Sequence, residues 1–187
     1  MSSSCTIAIV GGGLAGLAAA HALRTFGMQA EVFETAAALG EIGAAVNVSP
    51  QAFKALQAIG LGDKVAAVGT ASPGIYTRNM QTGEFLEFND RHKAAARHGA
   101  PYYSFHRADL LDALASGLDH SAIHPGHRLT GLEERSDRIT LAFANGAQVE
   151  AEIVIGADGV RSVIRRALYG RQPRLYRPDG MACAPER

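Results

Sequence analysis

The sequence contains no tryptophan, only two cysteines in 187 residues, and no excess of charge, with 18 basic and 18 acidic side chains. A neutral chain lacks the electrostatic attraction that nucleic acid or an anionic membrane surface would require, so we expect neither as a partner. Cys5 and Cys183 lie at opposite ends of the chain without metal-ligand spacing. We therefore expect free thiols rather than a disulfide framework.

Long apolar runs are also missing. No segment approaches the roughly 18 uninterrupted apolar residues that a membrane-spanning helix needs, and no basic region precedes an apolar one at the N-terminus. We expect no membrane segment and a cytoplasmic protein. With 47% hydrophobic residues, a chain of this length buries one ordinary domain core and is short for two.

Glycine is plentiful, at 21 residues, and three glycines form a G-x-G-x-x-G turn at Gly11, Gly13 and Gly16. The turn follows the apolar run Thr6–Val10 and opens an alanine- and leucine-rich run, which is the strand-to-helix context of a dinucleotide site. Gly11 permits the tight turn, Gly13 lets the backbone approach a pyrophosphate, and Gly16 lets the helix lie close to the strand. A flexible glycine turn without ligand is the alternative.

An acidic residue stands where such a site needs one. The second predicted strand, Ala30–Glu34, ends in a carboxylate 18 residues after Gly16, at the position that accepts hydrogen bonds from adenosine ribose hydroxyls. A carboxylate repels a 2′-phosphate, so Glu34 predicts FAD or NAD as the ligand and disfavours NADP.

The remaining pattern predicts an α/β chain with added antiparallel strands. Asn145-Gly146 between alternating runs is typical of a hairpin turn, and Asn89–Gly99 is polar enough to predict a surface loop. The other predicted elements are helices over Leu14–Phe26, Pro50 to Gly60, His106–Leu114 and Val163–Leu168, a strand over Ile153–Ile155, a hairpin of Ile75–Thr77 with Glu84–Phe88, and a loop over Thr35–Val48.

Two further charged residues are candidates for ligand binding. Arg107 lies in the first turn of a predicted helix, where a cation opposes the helix dipole, so either an anionic ligand or plain solvation explains it. Asp158 follows a buried strand and is flanked by Ala157 and Gly159. A carboxylate at the end of a parallel strand lies where α/β sheets bind ligands, although a lone Asp-Gly also suits a simple turn.

Two other patterns carry less weight. His120, His124 and His127 are close in sequence, but their spacing converges on a metal only in a helix, and Pro125-Gly126 interrupts any helix there. We expect a loop and no metal site. The arginines between Arg161 and Arg177 lack the interleaved aromatics of a nucleic-acid surface.

Three motifs in fixed order carry a family resemblance: the glycine turn with Glu34, His106–Leu110, and Gly156–Ser162. Together they resemble the flavoprotein aromatic hydroxylases, a family of FAD monooxygenases that includes salicylate and 3-hydroxybenzoate hydroxylases. The resemblance spans roughly residues 5–173 and implies a Rossmann-like FAD/NAD(P)-binding fold with an added β-hairpin and antiparallel layer. It also implies hydroxylation of a small aromatic substrate with FAD, NAD(P)H and oxygen.

The resemblance assigns roles to particular residues. The glycine turn would hold the FAD pyrophosphate, Glu34 the adenosine ribose, Arg107 the flavin phosphate or ribityl chain, and Leu129 the adenine. Asp158-Gly159 would serve both FAD and the nicotinamide donor. The complete set of implied cofactor-binding residues is Gly11, Gly12, Gly13, Leu14, Ala15, Gly16, Glu34, Thr35, Gly43, Ala44, Val46, Arg107, Leu129, Asp158 and Gly159.

The chain departs from the family at two places. Ala45 stands where the family often has glycine, and its methyl group would cost about 1 to 2 kcal/mol in a left-handed backbone. Residues 174–187 lose apolar periodicity, and we expect a disordered or frameshifted tail after an FAD-binding domain of residues 1–173.

The resemblance also limits what this chain does alone. It implies that the catalytic base lies downstream, so no catalytic residue is predicted and the fold is expected to be incomplete at its C-terminus. We expect the isolated chain to be inactive. The alternatives are a non-catalytic FAD- or NAD-binding fragment, or a flavin epoxidase or halogenase of the same fold. The aromatic substrate, the choice of NADH or NADPH, and the oligomeric state stay open.

Overall fold

The computed structural model describes residues 2–39 and 44–170. Its helices are α1 (Leu14–Thr25), α2 (Pro50–Ala58), α3 (Gly62–Val68), α4 (Arg91–His98), α5 (Arg107–Ala115) and α6 (Val163–Tyr169). Its strands are β1 (Ser2–Val10), β2 (Glu31–Phe33), β3 (Ala45–Val48), β4 (Thr70–Ala71), β5 (Gly74–Arg78), β6 (Phe85–Asp90), β7 (Tyr103–His106), β8 (Ile123–His124), β9 (Leu129–Glu134), β10 (Ile139–Phe143) and β11 (Gln148–Gly156).

The main sheet of the described residues has the strand order β8-β2-β1-β11-β10-β9. The first four strands in this order, β8, β2, β1 and β11, are parallel to one another. The strand β10 is antiparallel to both of its neighbours, β11 and β9. The four parallel strands therefore end at one edge, which is where open α/β sheets bind ligands. This arrangement confirms the predicted α/β fold with an added antiparallel layer.

Both faces of β1 are buried from Ile7 to Val10, which explains the continuous apolar run of this strand. Ile9 and Val32 face α1 and α5 and are at most 1% exposed. Ala8, Val10 and Phe33 point the other way and pack against the strands β9 to β11 and the helix α6. Such two-sided burial is typical of parallel strands.

A smaller sheet places the start of α5. It has the order β3-β7-β4, and β7 runs directly into Arg107, whose backbone N–H donates to the Ala44 carbonyl at 2.9 Å. The prediction of a loop over Thr35–Val48 is wrong for Ala45–Val48, which form β3 by pairing with the distant strand β7. Ala45 is extended, so its methyl group causes no left-handed strain.

The polar segment predicted as a surface loop contains a helix. Asp90 accepts a hydrogen bond from the His92 N–H at 2.9 Å and caps α4, and Gly99, at φ 69°, ends it. The helix has few apolar residues, so its periodicity is not visible in the sequence. The sequence pattern likewise does not predict α3. The predicted strand Ile153–Ile155 is part of a longer strand, β11, which begins at Gln148 directly after the Asn145-Gly146 turn. The predicted hairpins pair as expected.

In the part of the chain that the structure describes, no helix has the length and apolarity needed to cross a membrane. Residues 174–187, predicted to form the tail, lie outside the described residues, as does Cys183. The domain boundary at residue 173 stays a prediction.

Cys5 carries a free thiol on β1. Burial, and to a lesser extent the Glu31 carboxylate, raise the pKa of this thiol to about 11. Because the thiolate is the reactive form, we expect Cys5 in a Cys183→Ser chain to react with a disulfide reagent at pH 8 at least tenfold more slowly than in urea. The release of thionitrobenzoate measures both reaction rates. Equal rates in the folded and the unfolded chain would contradict the burial of this thiol.

Candidate functional site

The carboxyl ends of β1, β2 and β11 form one wall of a cleft of about 680 Å³. Segments far apart in sequence meet there, from the turn after β1 to the start of α6. The predicted site residues that line the cleft are Gly11, Gly12, Gly13, Glu34, Thr35, Arg107, Leu129, Asp158 and Gly159.

The three glycines of the turn have different structural reasons to be glycine. Gly11 has φ 111°, and a Cβ there would collide with the Ala157 carbonyl group. A Cβ on Gly16 would collide with the Gly11 carbonyl group. A Cβ on Gly13 would meet no atom within 4 Å, so the packing of the protein itself does not require glycine there. Gly13 leaves open space that faces the cleft.

The N-terminus of α1 points into this space. Gly13 is its N-cap, no side chain caps it, and its first turn contains no acidic residue. The unpaired N–H groups and the positive end of the helix dipole are therefore available to an anion.

Glu34 holds the turn and retains capacity to accept more bonds. Its carboxylate accepts hydrogen bonds from the Gly12 N–H at 2.5 Å and the Ala36 N–H at 2.8 Å. A carboxylate offers about four lone-pair positions. Because two positions are used, hydroxyl groups of a ligand could still donate to the others.

Asp158 performs a structural task at the edge of the cleft. Its carboxylate accepts bonds from the Ser162 hydroxyl at 2.5 Å, the Val163 N–H at 2.6 Å and the Ile164 N–H at 3.2 Å. It therefore fastens the N-terminus of α6 to the end of β11. The segment predicted from a ligand-binding motif is thus also a helix-capping turn.

Arginines dominate the charge of the cleft. Arg107 begins α5 and lines the cleft. Three more arginines, which are not among the predicted site residues, line it as well: Arg128, Arg161 and Arg166. The acidic lining residues are Glu34 and Asp158, so basic groups outnumber acidic ones among the described lining residues. Such a surface suits a ligand with two negative phosphates. The sequence offers one indication that the additional arginines belong to the site: they lie near Leu129 or Asp158 along the chain.

Several predicted site residues lie elsewhere. Gly43 is outside the described residues. Leu14, Ala15 and Gly16 follow the N-cap Gly13 and form the first turn of α1, and Gly16 is buried. Ala44 accepts the hydrogen bond of the Arg107 N–H, and Val46 packs against the core. None of these described residues lines the cleft.

The clustered histidines have local structural partners. The His124 ring stacks on Phe33 at 4.9 Å between centroids, and its Nε2 lies 2.8 Å from a Glu31 carboxylate oxygen. His127 packs edge-on against Phe33, and His120 begins a short 3₁₀ turn. Within the described ranges, no group of three or more His, Cys, Asp or Glu side chains is arranged to hold a metal.

Comparison with known proteins identifies the family. The profile described as "FAD binding domain" matches residues 4–173. The chain belongs to the FAD-binding domain family. The resemblance predicted from the three motifs is confirmed, and FAD is the cofactor of this family.

Curated relatives of this FAD-binding domain are ring monooxygenases by name. The chain is 42% identical over 171 residues to 3-amino-4-hydroxybenzoate 2-monooxygenase of Streptomyces cremeus, covering 90% of this chain and 43% of the relative. It is 39% identical over 177 residues to 6-hydroxynicotinate 3-monooxygenase of Pseudomonas fluorescens, covering 94% and 46%. The chain thus spans less than half the length of these relatives.

A solved structure shares the fold. The crystal structure of Klebsiella pneumoniae HpxO complexed with FAD and uric acid is 29% identical, with a TM-score of 0.78, and the match covers 87% of this chain and 41% of that one.

The residues of the cleft fit FAD on three structural grounds. Gly13 leaves the space that a Cβ would fill, α1 presents an uncapped N-terminus, and the excess of arginine complements a diphosphate. Glu34 retains acceptor positions suited to ribose hydroxyls. The donors and acceptors therefore match the chemistry of a dinucleotide.

A matched pair of alanine variants distinguishes the glycine that gives the ligand room from the glycine that the packing of the protein requires. We expect Gly13→Ala to keep the fold and to weaken FAD binding about tenfold or more, because the methyl group occupies the space for the phosphates. Gly16→Ala should lower the free energy of unfolding by about 2 kcal/mol or more, since its methyl group meets backbone. Thermal unfolding and titration of flavin fluorescence measure the two effects. Equal loss of stability in both variants would contradict the distinction.

Proposed function

We propose that this chain is the FAD-binding portion of a flavin-dependent monooxygenase that hydroxylates a small aromatic substrate of the phenolic-acid type with NAD(P)H and oxygen. The observation that carries the proposal is the cleft in which the glycine turn, Glu34, Arg107 and Asp158 converge. The reaction class is supported by the two ring monooxygenases whose similarity covers 90% and 94% of this chain.

The cofactor would lie along the carboxyl edge of the sheet. We propose that the turn at Gly11–Gly13 binds the pyrophosphate through backbone N–H groups and the α1 dipole. Glu34 would accept hydrogen bonds from the adenosine ribose, and the main chain at Leu129 would contact the adenine. Arg107, at the start of α5, would bind the phosphate or the ribityl side of the flavin.

Asp158 and Gly159 would act through the backbone that they shape. The Asp158 carboxylate accepts three bonds from the start of α6, so its main contribution is to hold this corner of the cleft in place. Gly159 has φ 74° and nothing within 4 Å of its Cβ position. We propose that this open backbone adjoins FAD, and that the nicotinamide donor approaches from the same side.

When bound, FAD supplies the transfer of electrons from a nicotinamide to oxygen, which no protein side chain supplies. The contribution of this chain is binding, orientation and charge compensation by its arginines. Cytoplasmic location remains a prediction from the sequence.

Binding of FAD by the purified 187-residue chain tests the proposal. After incubation with FAD and gel filtration, we expect a yellow protein with close to one flavin per chain, and no consumption of NADH with salicylate. A folded, colourless chain, or one that binds NAD more tightly than FAD, would overturn FAD binding as the role of the cleft. Rapid NADH consumption coupled to substrate would contradict the expected inactivity of the isolated chain.

Glu34→Gln tests the ribose contact. Glutamine has one acceptor oxygen in place of two, so it cannot hold both the Gly12 and Ala36 N–H groups and still accept from a ribose. Because hydrogen bonds to a charged group contribute about 1.5 to 3 kcal/mol, we expect FAD affinity to fall about tenfold or more. Equilibrium dialysis measures the affinity, and Glu84→Gln, on the distant hairpin turn, is the control. Unchanged affinity in Glu34→Gln would remove Glu34 from the site.

A further inference from the structure

Two helices that lie side by side both begin at the cleft. α1 starts behind the glycine turn, with Gly13 as its N-cap, and α5 starts with Arg107. Their packed faces include Leu17 and Leu114, which are 0% and 1% exposed. The relative position of the two helices therefore determines where Arg107 stands with respect to the turn.

Two side chains of α1 bind backbone carbonyl groups at the far end of α5. The His21 Nε2–H donates to the Leu114 carbonyl oxygen at 2.7 Å, and the Arg24 guanidinium donates to the Gly117 carbonyl oxygen. We call this pair of bonds the helix latch.

The spacing of the helix latch fixes the axial register of the helices. His21 and Arg24 are three residues apart, as are Leu114 and Gly117. A slip of one residue would shift one helix by about 1.5 Å along its axis and would break both bonds together.

Water cannot replace the bond between His21 and Leu114, because the imidazole is buried. His21 is 2% exposed, and a Cβ added to Gly117 would lie 2.6 Å from the Cε1 atom of His21. Leu114 lies in the last turn of α5, where carbonyl groups have no donor within the helix. Without the imidazole, this carbonyl would be buried without its donor, which destabilises the packed helix pair.

The charge state of His21 agrees with its role as a neutral donor. Burial lowers the pKa of His21, and the cations Arg24 and Lys64 lower it further, against the raising effect of the bond to Leu114. The ring is therefore neutral at pH 7 and carries its proton on Nε2. Arg24 belongs to α1, but its guanidinium lies beside the C-terminal end of α5. Its positive charge complements the negative end of the α5 dipole.

Both helices transmit the register to the cleft as rigid rods. Leu114 is seven residues from Arg107, about 10.5 Å along the helix, and His21 is eight residues from Gly13, about 12 Å. The bond from the Arg107 N–H to Ala44 holds the cleft end of α5, and the helix latch holds the other end.

We propose that His21 and Arg24 are positioning residues that set the distance between the glycine turn and Arg107, and thereby the affinity for FAD. The inference rests on the proposed function, because it takes Arg107 as a contact of FAD. Neither His21 nor Arg24 is among the described residues that line the cleft. Both therefore act on the cleft through α5.

A double-mutant cycle with Arg107 tests the proposal. His21→Leu removes the donor, His21→Gln restores an N–H donor near the Nε2 position, and each is made with Arg107 and with Arg107→Met. Arg24→Gln, at an exposed position, provides a second variant that keeps the core intact. Val149→Ala, in the core cluster on the opposite side of the sheet, is the control for a loss of stability alone.

We expect His21→Leu to weaken FAD binding about tenfold and Arg24→Gln about threefold. Each latch residue is coupled to Arg107 through the position of α5, so its loss displaces Arg107. His21→Gln should recover most of the affinity. In the Arg107→Met chain, His21→Leu should change the affinity by less than about twofold, since the residue it positions is gone. Titration of flavin fluorescence gives the affinities, and thermal unfolding of the cofactor-free chains gives the stabilities.

Other outcomes overturn the inference in recognisable ways. Equal losses with Arg107 and with Arg107→Met, or an equal loss in Val149→Ala, would show that stability alone is responsible and would leave the proposed function standing. Arg107→Met with unchanged affinity would overturn both this inference and the assignment of Arg107. A chain without affinity for FAD would overturn the proposed function together with the latch.

Discussion

The close backbone contact among Gly11, Gly16 and Ala157 is the constraint on which the rest of the domain depends. A side chain on Gly11 would meet the Ala157 carbonyl, and one on Gly16 would meet the Gly11 carbonyl. The missing side chains let α1 approach β1 and let the end of β11 approach the turn. Because β1 pairs in parallel with β2 and with β11, the ends of these three strands meet at the same edge, where Glu34 and Asp158 follow.

The two carboxylates at that edge stabilise the backbone that forms the cleft. Glu34 pairs with N–H groups of the glycine turn and of its own loop, and Asp158 pairs with the first N–H groups of α6. Each gives buried or half-buried donors a partner that they would otherwise lack. The arginines among the described lining residues then outnumber the two carboxylates and give the cleft a positive charge. Rigidity and charge complementarity thus come from different residues of the same cleft.

Features encoded by neighbouring residues were predictable. The glycine turn, the hairpin at Asn145-Gly146 and the helix starting near Arg107 depend on local backbone geometry, and the structure has them. The strand Ala45–Val48 was missed because its partner, β7, lies more than 50 residues away. α4 was missed because an eight-residue helix held by caps shows no apolar stripe. The capping bonds of Asp158 were hidden within a motif that also suits a ligand.

The sequence by itself determined the dinucleotide turn, the acidic residue after β2 and the membership in the FAD-binding domain family, since each depends on residues at short, fixed spacing. Only the tertiary structure decided that Arg128, Arg161 and Arg166 join Arg107 around one cleft, and that His21 meets the end of α5. The physical reason is the range of the interactions. A turn is specified by the steric limits of a few adjacent residues, whereas the meeting of His21 with Leu114, 93 positions apart, depends on strand pairing and helix packing across the whole domain.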